Sequence, residues 1–233
     1  MKELIQQTKW QFILLQKNNI ISISIAVTFF YALAFFITKD LGNADKVLTL
    51  LIFNDPAVIG LFFIGLSIIM EKDQQVLTAL FVTPINHHIY LISRILSISI
   101  VGWVCALGMA FAAVGNSFHL VHFSAGVFGI CILACLLGIY LVCYTQEFMR
   151  FTLKSIPILL LLFNLPLLNY FDVTNVGLFK FFPSQGGLDL IANSHEVSPD
   201  PSVIVYGYLS IIFWIPLLYW LVYRTFMSKI VNV

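Results

Sequence analysis

The stretch IISISIAVTFFYALAFFI, residues 20–37, decides the fold class because it carries no charged residue. A helix needs about 20 predominantly apolar residues to cross the hydrocarbon core of a bilayer. Similar stretches follow at about 56–70, 91–113, 125–145, 156–170 and 204–223. The sequence therefore predicts an all-α integral membrane protein with six transmembrane helices, folded as a single transmembrane domain over residues 1–233.

The composition supports a membrane protein. The chain is 60% hydrophobic and 10% charged, whereas about a quarter of the residues in a typical soluble domain are charged. Membrane lipids are therefore the expected surroundings. The net charge of +1 gives no basic surface for a nucleic acid, so no nucleic-acid partner is predicted.

Residues 1–19 are predicted to form an amphipathic helix in the membrane interface, with basic residues toward the headgroups and Trp10 at the boundary. No cleavable leader is expected.

The distribution of Lys and Arg predicts the orientation. With the N-terminus in the cytoplasm, the outside keeps only three of the twelve basic residues, Lys39, Lys46 and Lys180. Both termini are therefore predicted to be cytoplasmic.

Prolines are expected to mark the start of two spans. Asp55 and Pro56 are typical of an N-cap and a first helical position, so residues 47–53 are predicted to be a separate short piece. A longer helix kinked at Pro56 remains the alternative. Ser155 and Pro157 predict the same kind of start for the fifth span.

The long segment 171–203 is too apolar for a solvated loop and too broken to cross the bilayer. Pro183 and the pair Gly186-Gly187 are expected to divide it into two short helices. Non-helical backbone at membrane depth needs cover from protein or water. The sequence therefore predicts re-entrant helices that dip into the membrane from outside.

The six predicted spans contain almost no ionisable side chain. Arg94 is expected to snorkel to the nearby cytoplasmic surface. Ion-coupled carriers commonly use charged residues at mid-depth, so this class is disfavoured. No GxxxxGK phosphate loop occurs, and the HxxH of His119 and His122 has no nearby carboxylate or Cys. The four cysteines are expected to serve helix packing. The chain is predicted to be no enzyme by itself, with no bound metal or cofactor.

The connection between the second and third spans, EKDQQVLTALFVTPINHH (71–88), is the exception in this apolar chain. Its first half has an amphipathic pattern, and Thr83-Pro84 should end the helix. Leu77, Leu80 and Phe81 are predicted to enter a groove on a partner, ringed by Lys72, Asp73, Gln74 and Gln75. Glu71 and Arg94 are expected to pair. The alternative is a loop that rests on the membrane.

These residues resemble the type-2 ABC exporter permeases, whose ATPase is often a separate polypeptide. The resemblance rests on the charged Glu71-Lys72-Asp73, the following helix, the Thr83-Pro84 break, and Tyr90 and Arg94 opening the third span. The stretches NDPAVIGLFFIG and EKDQQVLTALFVTP are most similar to the permeases of fluoroquinolone exporters. The family often has Gly where Gln74 or Gln75 stands.

The resemblance implies a bacterial inner-membrane exporter built from two permease halves, as a homodimer or with a related subunit, and two ATPase subunits that carry ATP and Mg²⁺. It implies that the connection transmits ATP-driven motion and that the outer helices form a gate. The implied coupling residues are Glu71, Lys72, Asp73, Leu77, Leu80, Phe81, Thr83, Pro84 and Arg94. The implied gate residues are Phe182, Pro183, Gly186 and Gly187. The cargo is expected to be lipophilic or amphipathic. Export of a lipid, haem or peptide, or a non-transporting anchor or assembly role, remains the alternative.

Overall fold

The computed structural model describes residues 2–38, 44–77, 86–115, 118–174, 176–196 and 200–231. This part of the chain is helical and contains no β-strand. Six helices are long and apolar enough to cross a membrane, which confirms the predicted fold class. We refer to them as spans 1 to 6: Ile20–Ile37, Asp45–Asp73, His87–Val114, Leu120–Val142, Phe148–Tyr170 and Pro201–Val231.

Three shorter helices whose ends both lie within the described residues accompany the spans. The N-terminal helix, Lys2–Lys17, packs against spans 1 and 3. It is separated from span 1 by Asn19, whose φ of 58° lies in the left-handed region that Asn tolerates better than most residues. Trp10 and Ile13 on this helix are exposed, as expected for a helix whose apolar face meets lipid. A 3-10 helix, Gly177–Phe181, and the outer helix, Gln185–Ser194, lie between spans 5 and 6.

Spans 2 and 5 begin well before the predicted positions, so the expected proline starts are wrong. Pro56 lies inside the helix Ala44–Val58, and Pro157 lies inside Phe148–Ile158. Each proline is followed by a π-helical segment, Ile59–Phe63 or Leu159–Asn164. Local π-helical adjustment and neighbouring helices allow a membrane helix to continue through a proline. Residues 47–53 are therefore part of span 2.

Span 4 lies at the centre of the bundle, with 72% of its most apolar window buried. Its small residues let span 2 approach closely, because a side chain at Gly138 would meet the carbonyl oxygen of Leu61 at 2.7 Å. A side chain at Gly60 would likewise meet the carbonyl oxygen of Cys131 at 2.7 Å. The prediction that the cysteines serve helix packing is confirmed in span 4, where Cys131 and Cys135 are fully buried.

The outer helix is a buried element. It packs against spans 2, 4 and 6. Gly186 and Gly187 lie in its first turn and do not divide the segment, which corrects the prediction. Their role is close packing, since a side chain at Gly186 would meet the carbonyl oxygen of Gly207 in span 6 at 2.8 Å. The break falls instead at Phe182 and Pro183, between the 3-10 helix and the outer helix.

Candidate functional site at the connection between spans 2 and 3

The charged residues of the connection belong to the end of span 2. Glu71 and Lys72 lie in the last turn of the helix Ile64–Asp73, and a helix resumes only at Val76. Gln75 separates the two helices with a φ of 57°. This left-handed conformation is costly for a residue with a Cβ atom. Span 2 therefore extends through the charged residues, whereas the sequence predicted that it ends at about residue 70.

A buried ion pair joins span 2 to span 3. Arg94 forms a bidentate contact with Glu71, with Nη1–Oε2 and Nη2–Oε1 distances of 2.5 Å and 2.8 Å. The hydroxyl of Tyr90 donates to Glu71 at 2.8 Å and accepts from Arg94. Nε of Arg94 also donates to the hydroxyl of Ser67 at 3.1 Å. The expected pairing of Glu71 with Arg94 is confirmed.

This cluster is shielded from solvent, with the side chains of Arg94 and Glu71 only 3% and 10% exposed. Tyr90 is fully buried and packs beside Phe226 of span 6. The expectation that Arg94 snorkels to the surface is therefore wrong. Its guanidinium points inward because a buried carboxylate, a phenol and a hydroxyl satisfy it there.

Lys72 turns toward the bundle. Its ammonium donates to the carbonyl oxygens of Val142 at 2.9 Å and Thr145 at 3.4 Å. These carbonyls lie at the C-terminal end of span 4, where a cation is favoured by the unpaired carbonyls and the helix dipole. Lys72 therefore fastens span 2 to span 4, whereas the sequence predicted that it would ring a partner contact.

In the described part of the connection, only some of the apolar side chains are exposed for contact with a partner. Leu77 is 4% exposed and belongs to the core of this chain, which corrects its predicted place in a partner's groove. Val76 is 40% exposed, and Asp73, Gln74 and Gln75 are also exposed. In the described residues before position 78, the exposed surface of the connection therefore runs from residue 73 to 76. The predicted contacts of Leu80, Phe81, Thr83 and Pro84 lie outside the described residues.

The chain enters span 3 through a capped helix end. The side chain of Asn86 accepts a hydrogen bond from the backbone N–H of His88 at 2.9 Å. The ring of His88 stacks on Tyr223 of span 6 with a centroid distance of 3.9 Å. Nδ1 of His88 also contacts the hydroxyl of Tyr219 at 2.8 Å. Sequence reasoning missed this contact, although a His after Pro84 and tyrosines one helical turn apart gave a local signal.

The sequence of the chain matches a known protein family. A sequence model of the fluoroquinolones export permease protein family matches residues 3–233 of the chain. The chain belongs to this family. It is therefore a multi-pass membrane protein and the permease of an export transporter. A search of curated proteins found no match.

A second polar group lies deep in the permease and was missed by the sequence analysis. Asp55, predicted to cap a helix at the membrane surface, is fully buried inside span 2. Its Oδ2 lies 2.9 Å from the hydroxyl of Thr28 in span 1. The expectation that the spans hold no ionisable group at mid-depth is wrong, because it depended on the misplaced start of span 2.

At the opposite end of the permease, the predicted gate residues fall into two groups. Gly186 and Gly187 are packing positions, whereas Phe182 and Pro183 are half-buried in the turn before the outer helix. The hydroxyl of Ser184 donates to the carbonyl oxygen of Leu162 in span 5. This carbonyl has no α-helical donor, since the residue four positions later is Pro166. The turn is thus tied to the irregular part of span 5.

Proposed function

We propose that this permease is one membrane half of an ATP-driven ABC exporter, powered by a separate ATPase subunit. The proposed cargo is a lipophilic or amphipathic small molecule that leaves the cytoplasm or the inner leaflet. The family name makes fluoroquinolones the first compounds to test. The proposed location of the permease is the bacterial inner membrane, with both termini in the cytoplasm.

The observation that supports coupling to an ATPase is the anchoring of the connection at both ends. At its start, Glu71 pairs with Arg94 and Lys72 binds the end of span 4. At its end, Asn86 caps span 3 and His88 stacks on Tyr223. A force applied to the connection is therefore passed to spans 2, 3, 4 and 6.

The contact surface that we propose for the ATPase begins with the exposed residues 73–76. Asp73, Gln74 and Gln75 offer polar groups, and Val76 offers an apolar side chain that is 40% exposed. An amphipathic helix that lays its apolar side chains into a groove is a recurrent recognition mode. Leu77 then packs in the core beneath this surface and does not enter the groove itself.

We further propose that two permease halves and two ATPase subunits form the active exporter. Spans 1, 5 and 6 are only 22%, 28% and 11% buried within the chain, so three of the six spans have large apolar surfaces for lipid or a second half. The gate that we propose lies at the turn of Phe182 and Pro183, where helical backbone is interrupted near the outer end.

The coupling surface can be tested with the permease and its ATPase reconstituted together in vesicles. Val76→Asp should abolish stimulation of ATP hydrolysis by the permease, because a charge would replace the apolar contact. The matched control is Val173→Asp, at a residue that is 68% exposed near the opposite end of the bundle. The control should stimulate normally. Normal stimulation by Val76→Asp would contradict the proposed contact surface.

A further inference from the structure

The carboxyl group of Asp55 takes no part in the proposed coupling contacts or in the proposed gate. Asp55 is 0% exposed and lies ten residues after Asp45, the first residue of span 2. At 1.5 Å per residue this places it about 15 Å along the helix axis from that end. A carboxyl group at this depth is expensive in a bilayer unless it is neutralised.

The single hydrogen of the Thr28 hydroxyl cannot make a full hydrogen bond to both of the oxygen atoms that the hydroxyl contacts. The hydroxyl oxygen of Thr28 lies 3.0 Å from the backbone carbonyl of Ser24 and 2.9 Å from Oδ2 of Asp55. A threonine hydroxyl has one hydrogen but two acceptor positions. If the hydroxyl donates to the Ser24 carbonyl, the contact with Asp55 needs a hydrogen on the carboxyl group.

The charges around Asp55 favour the same protonation state. Tyr31 of span 1 and Cys105 of span 3 interact electrostatically with Asp55, and neither is a cation. Oδ1 of Asp55 has no hydrogen-bond partner in the described part of the chain. A buried carboxylate with a bare oxygen and no counter-ion would be strongly destabilising, whereas a carboxylic acid that donates its O–H leaves only a neutral carbonyl oxygen unpaired, which costs much less.

We propose that Asp55 is a proton-binding site within the membrane. In this conformation the carboxyl group holds a proton on Oδ2 and donates it to Thr28, whose own hydrogen goes to the Ser24 carbonyl. This chain of two hydrogen bonds joins span 2 to span 1. Span 1 is otherwise only 22% buried, so the bound proton contributes to holding a loosely packed span in place.

Infrared spectroscopy of the full-length permease in lipid nanodiscs at pH 7 tests this site directly. The unsubstituted protein should show a protonated-carboxyl stretching band that is absent in Asp55→Asn. The matched control is Asp45→Asn, because Asp45 lies in the same helix but is exposed. The control should keep the band and lose carboxylate absorption instead.

A third variant identifies the hydrogen bond. Thr28→Val should shift the frequency of the Asp55 band without removing it, since the acid loses its acceptor but stays buried. If Asp55→Asn fails to fold, the test can use protein labelled with ¹³C at the aspartate carboxyl carbon. The band that Thr28→Val moves should then also show the isotope shift, which identifies it as an aspartate band. Loss of a carboxylate band in Asp55→Asn, with the protonated-carboxyl region unchanged, would overturn the proposal.

Discussion

The ion pair between Glu71 and Arg94 gives the sharpest test of how the connection is anchored. We consider Arg94→Met, which removes the guanidinium but keeps an apolar side chain of similar length. The carboxylate of Glu71 would then keep only the hydroxyl of Tyr90. It would remain buried without a counter-ion.

The expected cost follows from burial. The two side chains are 3% and 10% exposed and are joined by two contacts of 2.5 Å and 2.8 Å. Removing one partner of such a pair typically costs about 3–5 kcal/mol. The double variant Glu71→Gln with Arg94→Met leaves no unpaired charge, so it should cost clearly less than the sum of the two single variants.

Unfolding of the purified permease in mixed micelles, followed by Trp fluorescence, provides the four free energies of this cycle. The pair Lys46–Asp172 is the matched control, because its distance is 2.7 Å but its side chains are 37% and 82% exposed. Asp172→Asn should therefore cost at most about 1 kcal/mol. If Arg94→Met costs as little as Asp172→Asn, or if the single variants are additive, the reasoning about burial is refuted.

Four other outcomes are expected in the same unfolding assay. Gln75→Gly should stabilise the permease by up to about 1 kcal/mol, because glycine adopts the left-handed conformation without strain; a loss would contradict this. Ser184→Ala should destabilise by about 1 kcal/mol, since it removes the donor to the partly buried carbonyl of Leu162, and no change would argue against the contact. Leu77→Ala should cost about 2–5 kcal/mol because Leu77 is buried, whereas Val76→Ala should cost below about 0.5 kcal/mol because Val76 is exposed. Equal costs would contradict the assignment of Leu77 to the core and Val76 to the surface. Burial raises the pKa of Asp189 from 3.8 to about 6, so deprotonation of this group should lower stability by up to about 3 kcal/mol as the pH rises between these values. Asp189→Asn should remove this part of the pH dependence and leave the part that comes from Asp55; an unchanged pH dependence would assign the whole fall to other groups.

The number and order of the spans could be predicted from the sequence because apolar length alone decides whether a helix crosses a bilayer. The pairing of Glu71 with Arg94 was also predictable, since these opposite charges lie at the two ends of the connection, but the burial of the pair was not. Close packing by Cys131 and Gly138 followed from the small side chains on one face of span 4.

The errors have three physical causes. Pro56 and Pro157 look like helix starts in a soluble protein, but a π-helical segment lets each span continue through its proline. The mistaken start at Pro56 moved Asp55 to the surface and hid a buried acid. Leu77 has the spacing of a docking residue, and only the fold shows that its own chain covers it. Side chains that satisfy distant groups, such as Ser184 with the carbonyl of Leu162, leave no signal in local sequence.

The central claim, that this chain is the membrane half of an ATP-driven exporter, is tested most directly by transport. The measurement is uptake of a fluorescent fluoroquinolone into inside-out vesicles that contain the permease with its ATPase. We predict ATP-dependent uptake that disappears when either subunit is omitted or when the ATPase carries an inactivated phosphate loop. Uptake that proceeds without ATP hydrolysis, driven by an ion gradient through the permease alone, would contradict the account.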